Sequence, residues 1–232
     1  MANINVLAPF ILSWEGGVSN NKNDSGGLTN KGVTLAVWTK HGRDINGDGV
    51  IDGNDLVTIT DEDAVKIMKL LYWDTVKADK ILSQNVANIL VDWAWNSGVG
   101  RAAKEVQAIV GATVDGIIGE KSIAAINAMN SEVLFKKIFE ARLKFIDNIV
   151  ASNPKNKVFE KGWKNRLNSI QYGKLVYNGG QKNIEFADQP TSSADVTNNR
   201  CPFAVKIGAA HDAGNSAISM YCTRYHDGID KK

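Results

Sequence analysis

Two acidic side chains near the N-terminus, Glu15 and Asp24, have the types and spacing best suited to acid–base chemistry in this sequence. Glu15 follows an apolar segment, so partial burial beside Trp14 would disfavour its charged form and suit it to donate a proton. Asp24 stands in a polar loop where it should stay ionised, and the Thr29 hydroxyl could hold a water. Two carboxyl groups in unlike environments are what glycoside hydrolysis uses. The spacing alone also fits a local ion pair at Glu15 and a turn at Asp24.

The spacing of apolar residues predicts the helices that would position Glu15 and Asp24. Apolar side chains recur every three or four positions over residues 4–14, which predicts a helix that ends beside Glu15. Further helices are expected after four residues that can cap a helix, Thr34, Thr60, Ser83 and Ser131. The glycine-rich stretch 16–33 predicts a loop, with short strands at most. A last helix is expected over residues 163–172. The fold class is therefore mainly α, with a small loop or β element near Glu15.

Several short motifs occur in order between residues 5 and 172. They are E-G-G at 15–17, D-x-G-G-x-T-x-x-G-[IV]-T at 24–34, Y-W-D at 72–74, D-x-x-x-N-S-G at 92–98, V-D-G-x-x-G at 114–119 and G-W-x-N-R at 162–166. Together they resemble glycoside hydrolase family 108, the peptidoglycan-cleaving muramidases once called secretion-activator proteins. The later motifs resemble the predicted peptidoglycan-binding segment that follows the catalytic segment in that family.

The resemblance implies a helical, lysozyme-like fold in which Glu15 is the catalytic acid. Asp24 and Thr29 fall on the acidic and threonine positions of the second motif. Asp24 would activate a water, stabilise charge or only shape the loop, and these alternatives stay open. Residues 1–97 would form the catalytic segment, 98–175 the peptidoglycan-binding segment packed into the same fold, and 176–232 a tail or small appendage.

An acidic loop at residues 44–55 predicts a second site. Oxygen-bearing side chains stand at loop positions 1, 3, 5, 9 and 12, a glycine at position 6, and the carbonyl of position 7 is available, as in an EF-hand. The predicted ligands are Asp44, Asn46, Asp48, Val50, Asp52 and Asp55. Ligands that are all oxygen favour a hard cation, so we expect a structural Ca²⁺ and no cofactor for catalysis.

The amino-acid composition limits the kinds of molecule that this protein is expected to bind. The chain has 232 residues, 44% of them apolar, and a formal net charge of +2, which by itself gives no reason to expect nucleic acid. No run of apolar residues is long enough for a membrane span. Peptidoglycan is the expected partner, with Trp14 and Asn96 as candidate substrate-binding residues, and a monomer is expected.

The N-terminal segment lacks the basic start and small-residue cleavage site of a signal peptide. The expectation is synthesis in the cytoplasm and action on the cell wall after release. A holin or a secretion machinery would provide that release.

The sequence thus predicts a muramidase that hydrolyses the β-1,4 bond between N-acetylmuramic acid and N-acetylglucosamine. A lytic transglycosylase using Glu15 alone and a non-catalytic wall-binding module are the alternatives. Cys201 and Cys222, with His211 and His226 nearby in sequence, leave three further readings open: a disulfide, two inert thiols, or a Cys/His nucleophile pair of a peptidase or amidase.

Overall fold

Helices make up most of the structure, a computed structural model that describes residues 1–20, 27–180 and 182–188. In chain order these residues form α1 Ile4–Trp14, α2 Leu35–His41, α3 Gly53–Leu56, α4 Asp61–Met68, α5 Gln84–Ser97, α6 Val99–Val110, α7 Glu120–Ala128, α8 Ser131–Ser152 and α9 Lys157–Asn168. A π-helical turn, Lys69–Trp73, extends α4, and 3₁₀ turns cover Ala78–Lys80 and Pro154–Asn156. The predicted mainly α fold class is confirmed.

Two small antiparallel sheets accompany the helices in the described part of the chain. The first consists of β1 Ser19–Asn20, β2 Leu28–Asn30 and β3 Val33–Thr34. The second consists of β4 Ile170–Gln171, β5 Lys174–Val176 and β6 Asn183–Glu185. The first sheet is the small β element that the glycine-rich stretch allowed.

Side-chain caps explain why several helices begin where they do. The hydroxyls of Thr34, Thr60 and Ser83 each accept a hydrogen bond from a backbone N–H in the first turn of α2, α4 and α5, as predicted. The cap of α8 differs from the prediction. Asn130 accepts from the first backbone N–H groups of that helix, while the hydroxyl of Ser131 pairs with the Tyr172 hydroxyl at 2.6 Å.

Two hydrophobic clusters form the interior. The larger one is built mainly from α1, α5, α6 and α8, and the smaller one from β3, α2, α3 and α4. The indole of Trp95, on α5, packs against both clusters. Glu15 follows α1, a helix of the larger cluster, and the hairpin of β2 and β3 belongs to the smaller one. The boundary between the clusters therefore lies at the carboxylate that the sequence singled out.

A tight hairpin brings the first sheet to this boundary. β2 and β3 pair with Asn30 opposite Val33, which leaves Lys31 and Gly32 as a two-residue turn. Both turn residues have positive φ, 50° and 77°, the backbone of a type I′ turn. The Lys31 ammonium pairs with Asp61 at the start of α4 at 2.6 Å, and this contact holds the turn to the smaller cluster.

The last helix lies earlier in the chain than predicted. α9 ends at Asn168, and residues predicted to continue it form β4 and the turn into β5 instead. Gly173, at φ 79°, supplies the left-handed turn that closes this hairpin. Beyond residue 176, β6 adds to the same sheet, and the Asp188 carboxylate accepts a hydrogen bond from the Asn85 amide nitrogen at 2.8 Å.

No described helix combines the length and apolar character that crossing a lipid bilayer requires. The cysteines Cys201 and Cys222, with His211 and His226, lie outside the described residues.

Candidate active site

Glu15 stands where α1 ends, and its own backbone N–H donates to the Leu12 carbonyl at 3.2 Å. Its side chain is 19% exposed, so the carboxylate reaches solvent. The indole Nε1–H of Trp95 and an Nη1–H of Arg166 both donate to Oε1, each at 2.8 Å. Among the described residues, Oε2 has no hydrogen-bond partner. The two donors fix the carboxylate by one oxygen and leave the other free to exchange a proton.

A buried ion-pair network supports Arg166 from behind. Its Nε and Nη2 donate to Asp92 Oδ1 at 3.0 and 2.8 Å, while Nη1 turns to Glu15. The other oxygen of Asp92 pairs with Arg142 Nη2 at 2.7 Å. Asp92 is completely buried and both arginines are nearly so. Because a buried charge is costly without partners, each member of this chain of contacts depends on the next.

Opposite charges outweigh burial at the centre of the network. Burial by itself would raise the pKa of Asp92, but Arg166 and Arg142 hold that pKa below its ordinary value. Burial acts to lower the pKa of Arg166, and the carboxylates of Asp92 and Glu15 raise it above its ordinary value. For Arg142, burial prevails over Asp92 and lowers the pKa. Asp92 is therefore ionised and Arg166 protonated at neutral pH.

Two further residues, Gly32 and Tyr72, lie close to Glu15 and its partner Trp95. A Cβ added to Gly32 would lie 2.6 Å from Trp95 Cζ2 and 2.9 Å from Glu15 Oε2, so only glycine fits at this turn. The Tyr72 ring, on the π turn, lies 4.8 Å from that of Trp95 between centroids. Burial, and then the charge of Glu15, raise the pKa of Tyr72. The phenol therefore keeps its proton at neutral pH.

The other predicted catalytic residues lie on or beside the first sheet. Thr29 is half-buried in β2, and its hydroxyl donates to the Gly27 carbonyl at 3.3 Å. Asp24 lies outside the described residues. The hairpin that follows Thr29 contacts Glu15 through Gly32.

The two predicted substrate-binding residues differ in their surroundings. Trp14 packs on the larger hydrophobic cluster, with its ring centroid 6.3 Å from that of Phe10, and its indole nitrogen is buried without a partner among the described residues. Asn96 is exposed at the end of α5, and its Nδ2 donates to the Asp92 backbone carbonyl at 2.7 Å. Asn96 is thus one hydrogen bond from the buried network.

The acidic loop binds its own backbone in this structure. Asp44 accepts hydrogen bonds from the N–H groups of Gly47 and Gly49, and Asp48 accepts from that of Val50. Asp55 is buried, and backbone N–H groups hold its pKa below the ordinary value, with that of Asp52 contributing most. No group of three or more acidic, histidine or cysteine side chains in the described part of the chain is arranged to hold a metal ion.

The sequence alone did not indicate three contacts of Glu15, those with Trp95, Arg166 and Gly32. Asp92, behind Arg166, was not assigned a role either. All four fall inside motifs that carry the family resemblance, at 24–34, 92–98 and 162–166. Their presence in those motifs was the available signal, since no local pattern links positions 151 residues apart such as Glu15 and Arg166.

Comparison with known families defines the class of this protein. Residues 8–98 match the family described as glycosyl hydrolase 108, and residues 101–168 match the one described as predicted peptidoglycan domain. The chain is therefore a glycoside hydrolase with a peptidoglycan-hydrolysing role. The two matches meet near Gly98, between α5 and α6.

A solved structure is similar to this chain over most of its length. SagA from Brucella abortus is similar over 70% of this chain and 87% of its own length, with 31% sequence identity and a TM-score of 0.57. This protein belongs to glycoside hydrolase family 108, and the resemblance drawn from its motifs is confirmed. No curated protein sequence matches it significantly.

Proposed function

We propose that this protein is a lysozyme-like muramidase, which hydrolyses the β-1,4 bond between N-acetylmuramic acid and N-acetylglucosamine in peptidoglycan. The observation that carries the proposal is the exposure of the Glu15 carboxylate and the way in which it is held. This carboxylate is partly exposed, held by Trp95 and Arg166 through Oε1, and without a partner at Oε2 in the described part of the chain. A carboxyl group fixed in this way and open to substrate suits a general acid.

Glu15 would donate its proton from Oε2 to the glycosidic oxygen of the leaving sugar. In the protonated acid, Oε1 is the carbonyl oxygen and still accepts from both donors, so the orientation of the group survives the proton transfer. The positive charge of Arg166 then stabilises the carboxylate that the transfer leaves behind. Asp24, with Thr29, would position a water or stabilise the oxocarbenium-like charge on the sugar.

Substrate would contact the aromatic side chains next to this acid. Tyr72 and Trp95 present adjacent rings beside Glu15, and apolar ring faces suit the faces of sugar rings. Asn96, exposed at the end of α5, stays a candidate for binding the glycan. Trp14 also stays a candidate, although its packing on the larger hydrophobic cluster favours a structural role.

Replacing Glu15 with Gln tests the proposal. The amide oxygen can still accept from Trp95 and Arg166, so the fold should persist while clearing of purified cell walls stops. Glu132→Gln is the matched control, because Glu132 is exposed on α8 and pairs only with Lys136 among the described residues. Full clearing by Glu15→Gln would overturn the role of Glu15.

Mass spectrometry of the fragments released by the wild-type protein identifies the bond and the reaction. Reducing N-acetylmuramic acid ends are expected for hydrolysis. Anhydro ends would instead show a lytic transglycosylase, and binding to walls without any released sugar would show a binding module. Peptide products lost in Cys201→Ala would show a peptidase or amidase.

The loop at residues 44–55 is further proposed to bind a structural Ca²⁺. Its pattern of oxygen-bearing residues supports this role, and Ca²⁺ would compete with backbone N–H groups for the oxygens of Asp44 and Asp48. No catalytic step passes through this ion.

We further propose that a holin or a secretion machinery releases the protein to the cell wall. The protein would act there as a monomer. The basic C-terminal helices α8 and α9 would favour an anionic wall.

A further inference from the structure

A small cavity lies beside Arg166 and Arg142, the two arginines that pair with Asp92. We call it the arginine cavity, and its lining includes Asn96, Arg142, Phe145, Ile149, Trp163 and Arg166. Its volume is about 110 Å³. A site for one water needs only ~10–15 Å³, so the cavity can hold a group larger than a single water.

The charged side chains that line this cavity are both positive. Arg142 and Arg166 contribute to its wall, whereas their shared partner Asp92 does not. The Nη1 of Arg142 is buried and has no hydrogen-bond acceptor among the described residues. A guanidinium N–H without an acceptor in the interior is costly, which indicates that a group with an acceptor oxygen belongs there.

The remaining lining is apolar or adaptable. Phe145, Ile149 and Trp163 form an apolar wall, which strengthens an electrostatic contact by excluding water. Asn96 is exposed and Trp163 half-buried, so a ligand can enter from the surface. This combination suits a small carboxylate that has an apolar group close to it.

Resting on the proposed function, we infer that the arginine cavity binds a carboxylate attached to muramic acid. Two parts of peptidoglycan have this chemistry, the lactyl group of muramic acid with its free carboxylate and the peptide stem built on that group. In the free lactyl group the carboxylate is next to a methyl group, and in the stem the lactyl and alanyl methyl groups precede the free carboxylates of the glutamate. The Arg166 guanidinium lines the cavity and also donates to Glu15, so one side chain connects this site to the proposed catalytic acid.

Binding of soluble probes tests this without any cleavage. N-acetylmuramic acid and N-acetylmuramoyl-L-alanyl-D-isoglutamate would be titrated separately, each beside its carboxamide, with N-acetylglucosamine as a neutral sugar. The readout is the indole N–H signal of Trp163 in NMR spectra, assigned by its loss in Trp163→Phe. We expect at least tenfold tighter binding of an acid than of its amide, and the acid that binds identifies the lactyl or stem carboxylate.

Two variants locate the site. Ile149→Phe adds bulk to the cavity wall and keeps both arginines, and Arg142→Lys keeps a charge for Asp92 but loses the planar donor group. Both should weaken acid binding at least tenfold. Ile109→Phe, a half-buried position on α6 that does not line the cavity, is the matched control and should bind as wild type. Melting curves establish that each variant is folded.

Equal binding of acid and amide, absence of binding, or unchanged binding in both variants would overturn the inference. Failure of the proposed function would appear separately, as walls that the wild-type protein does not cleave. A protein that cleaves walls but does not distinguish the acids from their amides would therefore remain a muramidase without this subsite.

Discussion

Glu15 and Arg166 lie 151 positions apart in the chain, and Arg166 Nη1 donates to Glu15 Oε1 at 2.8 Å. The same guanidinium donates twice to Asp92, which is fully buried on α5. One arginine therefore joins the end of α1, the centre of α5 and the end of α9. The position of the Glu15 carboxyl group depends on all three helices being packed together.

Removing this arginine should be costly. Within the described residues, Arg166→Met leaves Asp92 with Arg142 as its cationic partner and Glu15 with Trp95 as its donor. We expect a loss of about 3–5 kcal/mol in the free energy of unfolding, the range for breaking a buried ion pair. Urea unfolding measures it. Lys136→Met, which breaks an exposed pair on α8, should leave stability nearly unchanged, and equal effects of the two substitutions would contradict the network's importance.

Gly32→Ala should reduce wall cleavage far more than it reduces stability. The new methyl group would contact Glu15 Oε2 and the Trp95 ring at distances too short for real atoms, and would displace the acid. Gly111→Ala is the matched control, because Gly111 also has positive φ, 70°, but nothing lies within 4 Å of its added Cβ. Both variants carry backbone strain of roughly 1 kcal/mol. A similar loss of cleavage rate in both would show that strain, not contact with Glu15, is responsible.

Acid should destabilise the protein through Asp92. Its pKa in the folded state lies below the ordinary value of 3.8, so the unfolded chain binds more protons as the pH falls. The stabilisation is fully present above about pH 4 and is lost as the pH falls through the lowered pKa. Urea unfolding between pH 7 and pH 2.5 should show this fall. Asp92→Asn should be less stable at pH 7 and have a flatter profile, whereas exposed Asp147→Asn should follow wild type.

Calcium should raise the melting temperature. At a free concentration 100 times the dissociation constant, a single site that forms only in the folded state adds about 2.7 kcal/mol. Asp48→Asn should reduce this gain while keeping an oxygen for the Val50 N–H, and Glu140→Gln, an exposed change on α8, should not. Melting curves with Ca²⁺ and with a chelator that coincide for the wild-type protein would contradict the proposed site.

Local features of the fold could be predicted from the sequence, because their causes are local. Thr34, Thr60 and Ser83 cap helices through hydrogen bonds that span three residues, and apolar periodicity marks the buried faces. The last helix was placed too late because the periodicity over 163–172 does not reveal that Ile170 pairs with Leu175. That pairing depends on a turn at Gly173, which periodicity alone does not show.

The candidate site could be predicted only in part. Glu15 was selected as the candidate acid by its place after an apolar helix and by the motifs around it. Its partners Trp95 and Arg166 come from distant segments, and their contact with Glu15 results from the packing of α5 and α9. The buried pairing of Arg142 with Asp92 is likewise a product of tertiary structure, since no spacing in the sequence joins α8 to α5.

The π-helical turn Lys69–Trp73 sets the direction in which Tyr72 points. Such turns contain one residue more than an α-helical turn at the same place. Regular α-helical winding of these same residues would rotate the side chains at the end of the turn by up to about 100° around the axis. Tyr72 would then turn away from Trp95, and Glu15 would lose an aromatic neighbour although every helix remained.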